Sequence, residues 1–455
     1  MSSTENKMLK KGSQYINKYP IAILLVYGIL LRLLVFVCYH DVTLYPDSED
    51  YTNLAQYFLH FSLENYTGER TPGLPFLIAL TGGNLYATVA IQTGIGLLGL
   101  YLIFDFSKTK TGEKQTAFWI AVITTSFLHL VFYEFAILTE TLTLFFFLLS
   151  FWYIQKFKLL APKTALKHYV VLSMILSYLY LVRPMFIYVP IGFSLFYLVK
   201  NFNFDIRKTF IKSLSMSLLP LVTFYAWCSV NEKNINQFTS SYYLGINLAQ
   251  VATPFFDKAP EEHRLIRDIF VKHRDYVEQN LPKKEYAMTV WYAHDELIEK
   301  TGLSRQELMY KLGEISKGLI ASHPDLYAKQ VLISFKDFWF TTSILWNANK
   351  FQNIYVRKAF IGLWNYIQRF LLILIHTLFL VFAIKKLFMF LKSKGKPFDL
   401  DILLVAIILS GALAQALVVY GSNSRFSFPY FPLIVYFVLV NVTTLKNNYA
   451  KRTLS

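Results

Sequence analysis

Stretches of about 20 mostly apolar residues recur along the whole chain, and each is long enough to cross the hydrocarbon core of a bilayer as a helix. They lie near 20–40, 85–104, 116–134, 137–156, 167–183, 184–200, 209–229, 362–384, 399–419 and 427–445. The chain is 55% hydrophobic and only 16% charged, against about 25% charged residues in a soluble globular protein. The pattern predicts an all-α integral membrane protein with about ten transmembrane helices. The first apolar run is long, contains Arg32 and lacks a small-residue cleavage site, which predicts a signal anchor. Two cysteines, Cys38 and Cys228, are too few for a disulfide framework.

The net charge of +16 has a membrane explanation that needs no nucleic acid, because Lys and Arg collect in cytoplasmic loops. Lys7, Lys10, Lys11 and Lys18 precede the first span. Lys108, Lys110 and Lys114 follow the second, and Lys156, Lys158, Lys163 and Lys167 the fourth. Lys200, Arg207, Lys208 and Lys212 follow the sixth, and Lys385, Lys386, Lys392, Lys394 and Lys396 the eighth. With ten spans all these loops fall on one side, and both termini are cytoplasmic. The other face receives 45–75, Tyr133 and Glu134, Arg183-Pro184, the stretch 230–360, and 420–425. This predicts a transmembrane module over 1–229 whose outer loop 41–75 is acidic, an extracytoplasmic helical insert over 230–361, and C-terminal transmembrane helices over 362–455. The insert carries helix punctuation: Ala259-Pro260-Glu261-Glu262, the capping-box spacing of Ser304 and Glu307, and His323-Pro324.

Charged residues at the outer ends of the spans are the candidates for chemistry. Asp47 and Asp50 lie just beyond the first span, with Tyr51 opening an apolar-periodic helix. A carboxylate there either accepts a proton from an attacking hydroxyl or favours a helix N-terminus through the dipole. Arg70-Thr-Pro-Gly-Leu-Pro75 predicts a tight turn into a short helix, and Arg70 either binds an anion or neutralises Glu69. Glu140 lies at the end of a span, where an acid is a functional candidate by default or one half of a structural ion pair. Glu134 is expected at the water interface. Arg183 and Arg425 offer planar forks suited to phosphate, or else snorkel or pair with Asp47 or Glu140; Arg32 is open to the same readings. His263, His273, His294 and His323 lack metal-ligand spacing, and no phosphate-binding glycine loop or catalytic serine elbow is present.

Several patches together resemble the membrane-embedded GT-C glycosyltransferases: PDSEDYTNLAQ after the first span, ERTPGLPFLIAL, ILTETLTLFFFLL, LVRPMF, and SRFSFPYFP before the last span. The branch they are most similar to is family 39, the protein O-mannosyltransferases and lipid A aminoarabinose transferases. The resemblance implies an inverting enzyme that takes a sugar from a polyprenyl-phosphate carrier on the extracytoplasmic or lumenal face. It implies Asp47 as base, with Tyr51 four residues on. The family's adjacent Asp-Glu is here Asp47-Ser48-Glu49, which brings in Asp50 as a substitute. Arg183 and Arg425 match the carrier-phosphate residues approximately.

The leading expectation is therefore a bacterial inner- or plasma-membrane glycosyltransferase with a polyprenyl-phosphate-linked sugar donor and a glycan, lipid or protein acceptor. It uses Asp47 and Asp50 as catalytic acids and Tyr51, Arg70, Glu140, Arg183 and Arg425 as binding residues, with no cofactor and no obligatory metal, although related oligosaccharide-transferring enzymes use one. The rival expectations are an O-antigen-type polymerase, dependent on loop arginines, and a flippase for lipid-linked sugars. A flippase would show repeated halves and mid-membrane acids.

Overall fold

The computed structural model describes residues 14–39, 41–344, 346–420 and 424–453. Lys7, Lys10 and Lys11, used above, lie outside them, as do 421–423 of the outer stretch 420–425. The first half is helix α1 (Pro20–Tyr39), the short pair α2 (Pro46–Leu59) and α3 (Gly73–Leu80), then α4 (Leu85–Thr111), α5 (Lys114–Ser126) and α6 (Leu128–Glu134). Helices α7 (Glu140–Lys156), α8 (Leu166–Val182), α9 (Tyr188–Asn201) and α10 (Ile206–Ile235) follow. The second half begins with α11 (Tyr243–Ala252), α12 (Arg264–Asn280), α13 (Thr289–Thr301), α14 (Arg305–Ser322) and α15 (Pro324–Phe340). It ends with α16 (Ile354–Leu363), α17 (Arg369–Lys392), α18 (Leu400–Val418) and α19 (Phe431–Thr453). One isolated parallel bridge joins Thr43 and Ala136.

Six helical stretches among the described residues are long and apolar enough to cross a membrane: Pro20–Tyr39, Leu85–Thr111, Ile206–Ile235, Ile354–Lys392, Leu400–Val418 and Phe428–Asn447. A seventh counts if α5 and α6 are one span, bent by 63° at Phe127. By length and apolarity, ten spans are not confirmed. Helices α7 and α8 have 17 residues each, about 26 Å at 1.5 Å per residue, short of a hydrocarbon core of about 30 Å. Helix α7 starts at Glu140, not 137, so its first turn is shorter than hydropathy assigned, while α8 ends at Val182, within one residue of its expected range at each end.

The apolar side chains form two main buried clusters. The larger runs through the transmembrane helices from Leu24 to Val438 and takes in Phe338 and Trp339 of α15. The second lies within the 230–361 stretch, from Tyr242 to Leu319, around Phe256, Phe270, Leu297 and Leu312. Helices α11 and α14 press together there: a Cβ at Gly245 would run into the Met309 carbonyl oxygen. The punctuation read from the sequence holds in this region. Ser304 and Glu307 form a capping box, and Pro324 opens α15.

Glu134 is not at the water interface. It is 2% exposed, because the bend at Phe127 swings the end of α6 inward onto α1. There Arg32 Nε donates to Oε2 at 2.7 Å and Nη2 to Oε1 at 2.5 Å. Arg32 Nη1 donates to the Gly28 carbonyl at 3.0 Å. Gly96 of α4 makes the room, since a Cβ there would occupy the space of the Glu134 carboxylate. Removing one member of such a buried pair leaves an uncompensated charge, which costs about 3–5 kcal/mol. Arg32→Met is expected to lower thermal stability in detergent by that order, and Arg32→Met combined with Glu134→Leu to recover most of it.

Candidate active site

The backbone around Asp47 is tied to the segment that leads into Glu140. Thr43 N donates to the Phe135 carbonyl at 2.8 Å, and Ile137 N to the Thr43 carbonyl at 3.1 Å. The Ser48 hydroxyl donates to the Ile137 carbonyl at 2.9 Å and accepts from Tyr45 N at 2.9 Å. Gln92 of α4 donates to the carbonyls of Glu134 and Ala136. Pro46 at the first position of α2 suits the fixed φ of proline, so Asp47 and Tyr51 project one turn apart on the same face.

Residues far apart in sequence converge here. Arg425 Nη1 donates to Asp47 Oδ2 at 3.0 Å and its Nε to Glu140 Oε1 at 2.6 Å. Arg70 Nη2 donates to Asp47 Oδ1 at 2.9 Å and its Nε to Asp50 Oδ2 at 3.0 Å. Arg183 Nη1 lies 3.7 Å from Glu140 Oε1. All seven site residues expected from the sequence thus form one connected set, with Tyr51 joined through its ring, 4.9 Å from the Arg70 guanidinium. Arg425 thus pairs with both Asp47 and Glu140, and Arg183 lies beside Glu140. Arg70 neutralises Asp47 and Asp50 in place of Glu69, which takes the Thr67 hydroxyl. Two groups in this set face inward without a hydrogen bond among the described residues: Glu140 Oε2 and Arg183 Nη1. A partly open pocket of about 30 Å³ borders Tyr133, Glu140 and Thr141 and reaches the Arg32–Glu134 pair, room for about two waters.

Two members had no signal in the sequence. Tyr243 of α11 donates its hydroxyl to Asp50 Oδ2 at 2.8 Å, and Arg305 Nη2 of α14 donates to that hydroxyl at 2.8 Å. The Arg70 guanidinium lies between the Tyr51 and Tyr243 rings, 4.9 and 4.5 Å from their centroids. The Tyr242-Tyr243 doublet and the first residue of a capping-box helix were the only cues, and both are common in ordinary helices.

Charge balance decides the state of Asp47. Burial works to raise its pKa, but Arg425 and then Arg70 outweigh it and hold the carboxyl at about 2, below the ordinary 3.8. Burial likewise works to neutralise Arg70 and Arg425. The surrounding tyrosines and carboxylates overcome it, and both stay charged with raised pKa values. Asp47 nonetheless keeps 33% of its side-chain surface open, against 1% for Glu140. Glu140 is therefore sealed in the wall while Asp47 faces outward. Among the described residues no three His, Cys, Asp or Glu side chains converge as a metal site.

No family model and no curated protein matches the chain. Among solved structures it is similar to the archaeal oligosaccharyltransferase AglB from Archaeoglobus fulgidus, in complex with an inhibitory peptide and a dolichol-phosphate, with a TM-score of 0.51. The chain has a GT-C fold. The match covers 97% of this chain at 12% identity, and the chain spans about half (52%) of that structure's length. A multi-pass membrane protein agrees with this fold and with the six long apolar helices.

The Tyr243 hydroxyl is the link between α2 and the 230–361 stretch at Asp50. Hydrogen bonds to charged groups contribute about 1.5–3 kcal/mol. Tyr243→Phe is expected to weaken that contact by about this amount, read as faster amide hydrogen exchange in α11 with α4 and α7 unchanged.

Proposed function

We propose that the protein is an inverting glycosyltransferase that moves a sugar from a polyprenyl-phosphate carrier to an extracytoplasmic acceptor. The observation that carries this reading is a single outward-facing carboxylate, Asp47, held between two guanidinium groups beside a third, Arg183, whose Nη1 has no hydrogen-bond acceptor. A phosphate monoanion would supply that acceptor. The neighbouring archaeal structure carries a dolichol-phosphate, which supports a lipid-linked donor here.

In this mechanism the acceptor hydroxyl oxygen attacks the anomeric carbon as the carbon–oxygen bond to phosphate breaks. Asp47 takes the hydroxyl proton. Arg183 and Arg425 stabilise the charge that develops on the departing phosphate, and Glu140 holds both at the wall. A carboxylate with a pKa of about 2 is a weak base, so the resting site is a blocked one. The donor phosphate competes with Asp47 for Arg425 and Arg70, and as they turn to it Asp47 loses its cations and regains basicity. Asp50 keeps Arg70 in reach, and Tyr51 packs against it. The isoprenoid lies along the apolar surface of α4 and α7 near Ile95, Gly99, Leu144 and Phe145, which lead away from Glu140. The short helices α7, α8 and α9 complete a ten-segment topology in which the Lys-rich loops and both termini are cytoplasmic and the acid loop is outside. The acceptor is a glycan, lipid or protein.

Transfer of radiolabelled sugar from synthetic polyprenyl-phosphate donors to an added acceptor tests this. Asp47→Asn is expected to lose about 10²–10⁴-fold in kcat, the usual contribution of a general base, with Asp50→Asn much less affected. Lipid-linked sugar translocation in liposomes without transfer by the wild type would replace this reading with a flippase.

The pH profile gives a separate check. In the free protein Asp47 is ionised down to about pH 2, so its protonation leaves no acid limb in kcat/KM above about pH 4. Removing a neighbouring cation raises a carboxyl pKa. Arg70→Gln is therefore expected to move the acid limb upward by about one pH unit or more, activity being lost as pH falls through the raised value.

A further inference from the structure

Helices α4, α7 and α9 all run away from the site, and their far ends border an open pocket of about 640 Å³. From Tyr86 to Lys110 along α4 is about 36 Å, and from Glu140 to Gln155 along α7 about 22 Å, at 1.5 Å per residue. The cavity therefore lies at the opposite end of the bundle from Asp47. Four lysines from four separate segments line it: Lys110 closing α4, Lys158 after α7, Lys200 closing α9, and Lys396 before α18. A fifth, Lys212, donates to the carbonyl of Pro162 in its wall at 2.6 Å.

Lysines at the ends of spans are ordinary in membrane proteins. Here four of them, from four separate segments, border a single pocket. The acids nearby compensate only in part. Asp401 holds Lys110 at 3.1 Å, and Asp399 is taken by Lys386 at 2.7 Å. Lys200 donates to the Phe398 carbonyl. Among the described residues Lys158 and Lys396 make no ion pair. The amide oxygen of Gln155, also in the lining, is buried with no partner. The remaining wall is apolar, with Ile154, Leu160 and Phe398, and Phe204 is 61% exposed.

We propose that this cavity binds the headgroup of an anionic phospholipid from the leaflet opposite the site. Its phosphodiester sits between Lys158 and Lys396, its hydroxyl-bearing headgroup reaches Gln155, and its acyl chains lie against Phe204 and Phe398. Volume, charge and position fit together. The cavity is within the size range of small-ligand sites, it is cationic, and it opens at helix ends, where basic pockets between spans take acidic headgroups.

The test is photolabelling of the full-length protein in phosphatidylcholine nanodiscs containing a photoactivatable phosphatidylglycerol, with sites mapped by mass spectrometry. Labelling is expected at 154–162 and 396–400, displaced by unlabelled phosphatidylglycerol and not by phosphatidylcholine. Lys158→Gln with Lys396→Gln is expected to weaken it roughly thirtyfold, about fivefold for each lysine. Lys167→Gln with Lys446→Gln, which removes the same charge elsewhere, is expected to leave it intact. Equal loss in both double variants would overturn the proposal in favour of diffuse surface charge. Displacement by inorganic phosphate as effective as by the lipid would overturn the lipid assignment. Preserved labelling in the Lys158/Lys396 variant would remove the site. Sugar transfer at saturating donor, retained in both double variants, serves as the folding control; their monodispersity in detergent is a second that does not depend on the enzymatic reading.

Discussion

Arg425 is the tie on which the site depends. One guanidinium joins a carboxylate at the start of α2, Asp47, to one at the start of α7, Glu140, across 378 and 285 residues of chain. Each of these charges would be costly at a membrane boundary without its partner. The arrangement is therefore collective: the acids keep Arg425 and Arg70 charged despite burial, and the arginines keep Asp47 ionised. It also explains where helices end. Helices α7 and α8 meet the site with Glu140 and Arg183, so the bundle has a polar recess where longer apolar helices would have filled it.

Much of the site was legible because charge is conspicuous in a chain that is only 16% charged. Asp47, Glu140, Arg183 and Arg425 stood at ends of apolar runs, and such residues have few places to go but toward one another. Hydropathy was a poorer guide to the helices themselves. The 63° break at Phe127 has no proline or glycine, only Thr124, Thr125 and Ser126 before it, and hydroxyls that bond back to the preceding turn, as those of Thr124 and Ser126 do, are a weak mark of a bend. Glu134 was misplaced for the same reason, since its burial follows from that bend and from the gap left by Gly96. Tyr243 and Arg305 were missed because the 230–361 stretch carries many charged residues on exposed helix faces. There an arginine that reaches the acid network looks like any solvated one.

The 230–361 stretch has its own apolar cluster and still reaches the acids. Its helix α15 buries Phe338 and Trp339 among the transmembrane side chains, while α11 presents Tyr243 to Asp50. Apolar packing along α15 and polar contacts near α11 both join this stretch to the rest of the fold. The Tyr243 contact lies directly on the carboxylate network.

That contact has a thermodynamic corollary. Tyr243 grips Asp50, Asp50 shares Arg70 with Asp47, and Arg70 is wedged between the rings of Tyr51 and Tyr243. A molecule that draws Tyr243 away from Asp50 and an anion that draws Arg70 away from Asp47 act on the same guanidinium. Linkage then requires each to alter the affinity of the other by an equal factor. Two ligands bound on either side of Arg70 would thus sense one another through a single arginine side chain.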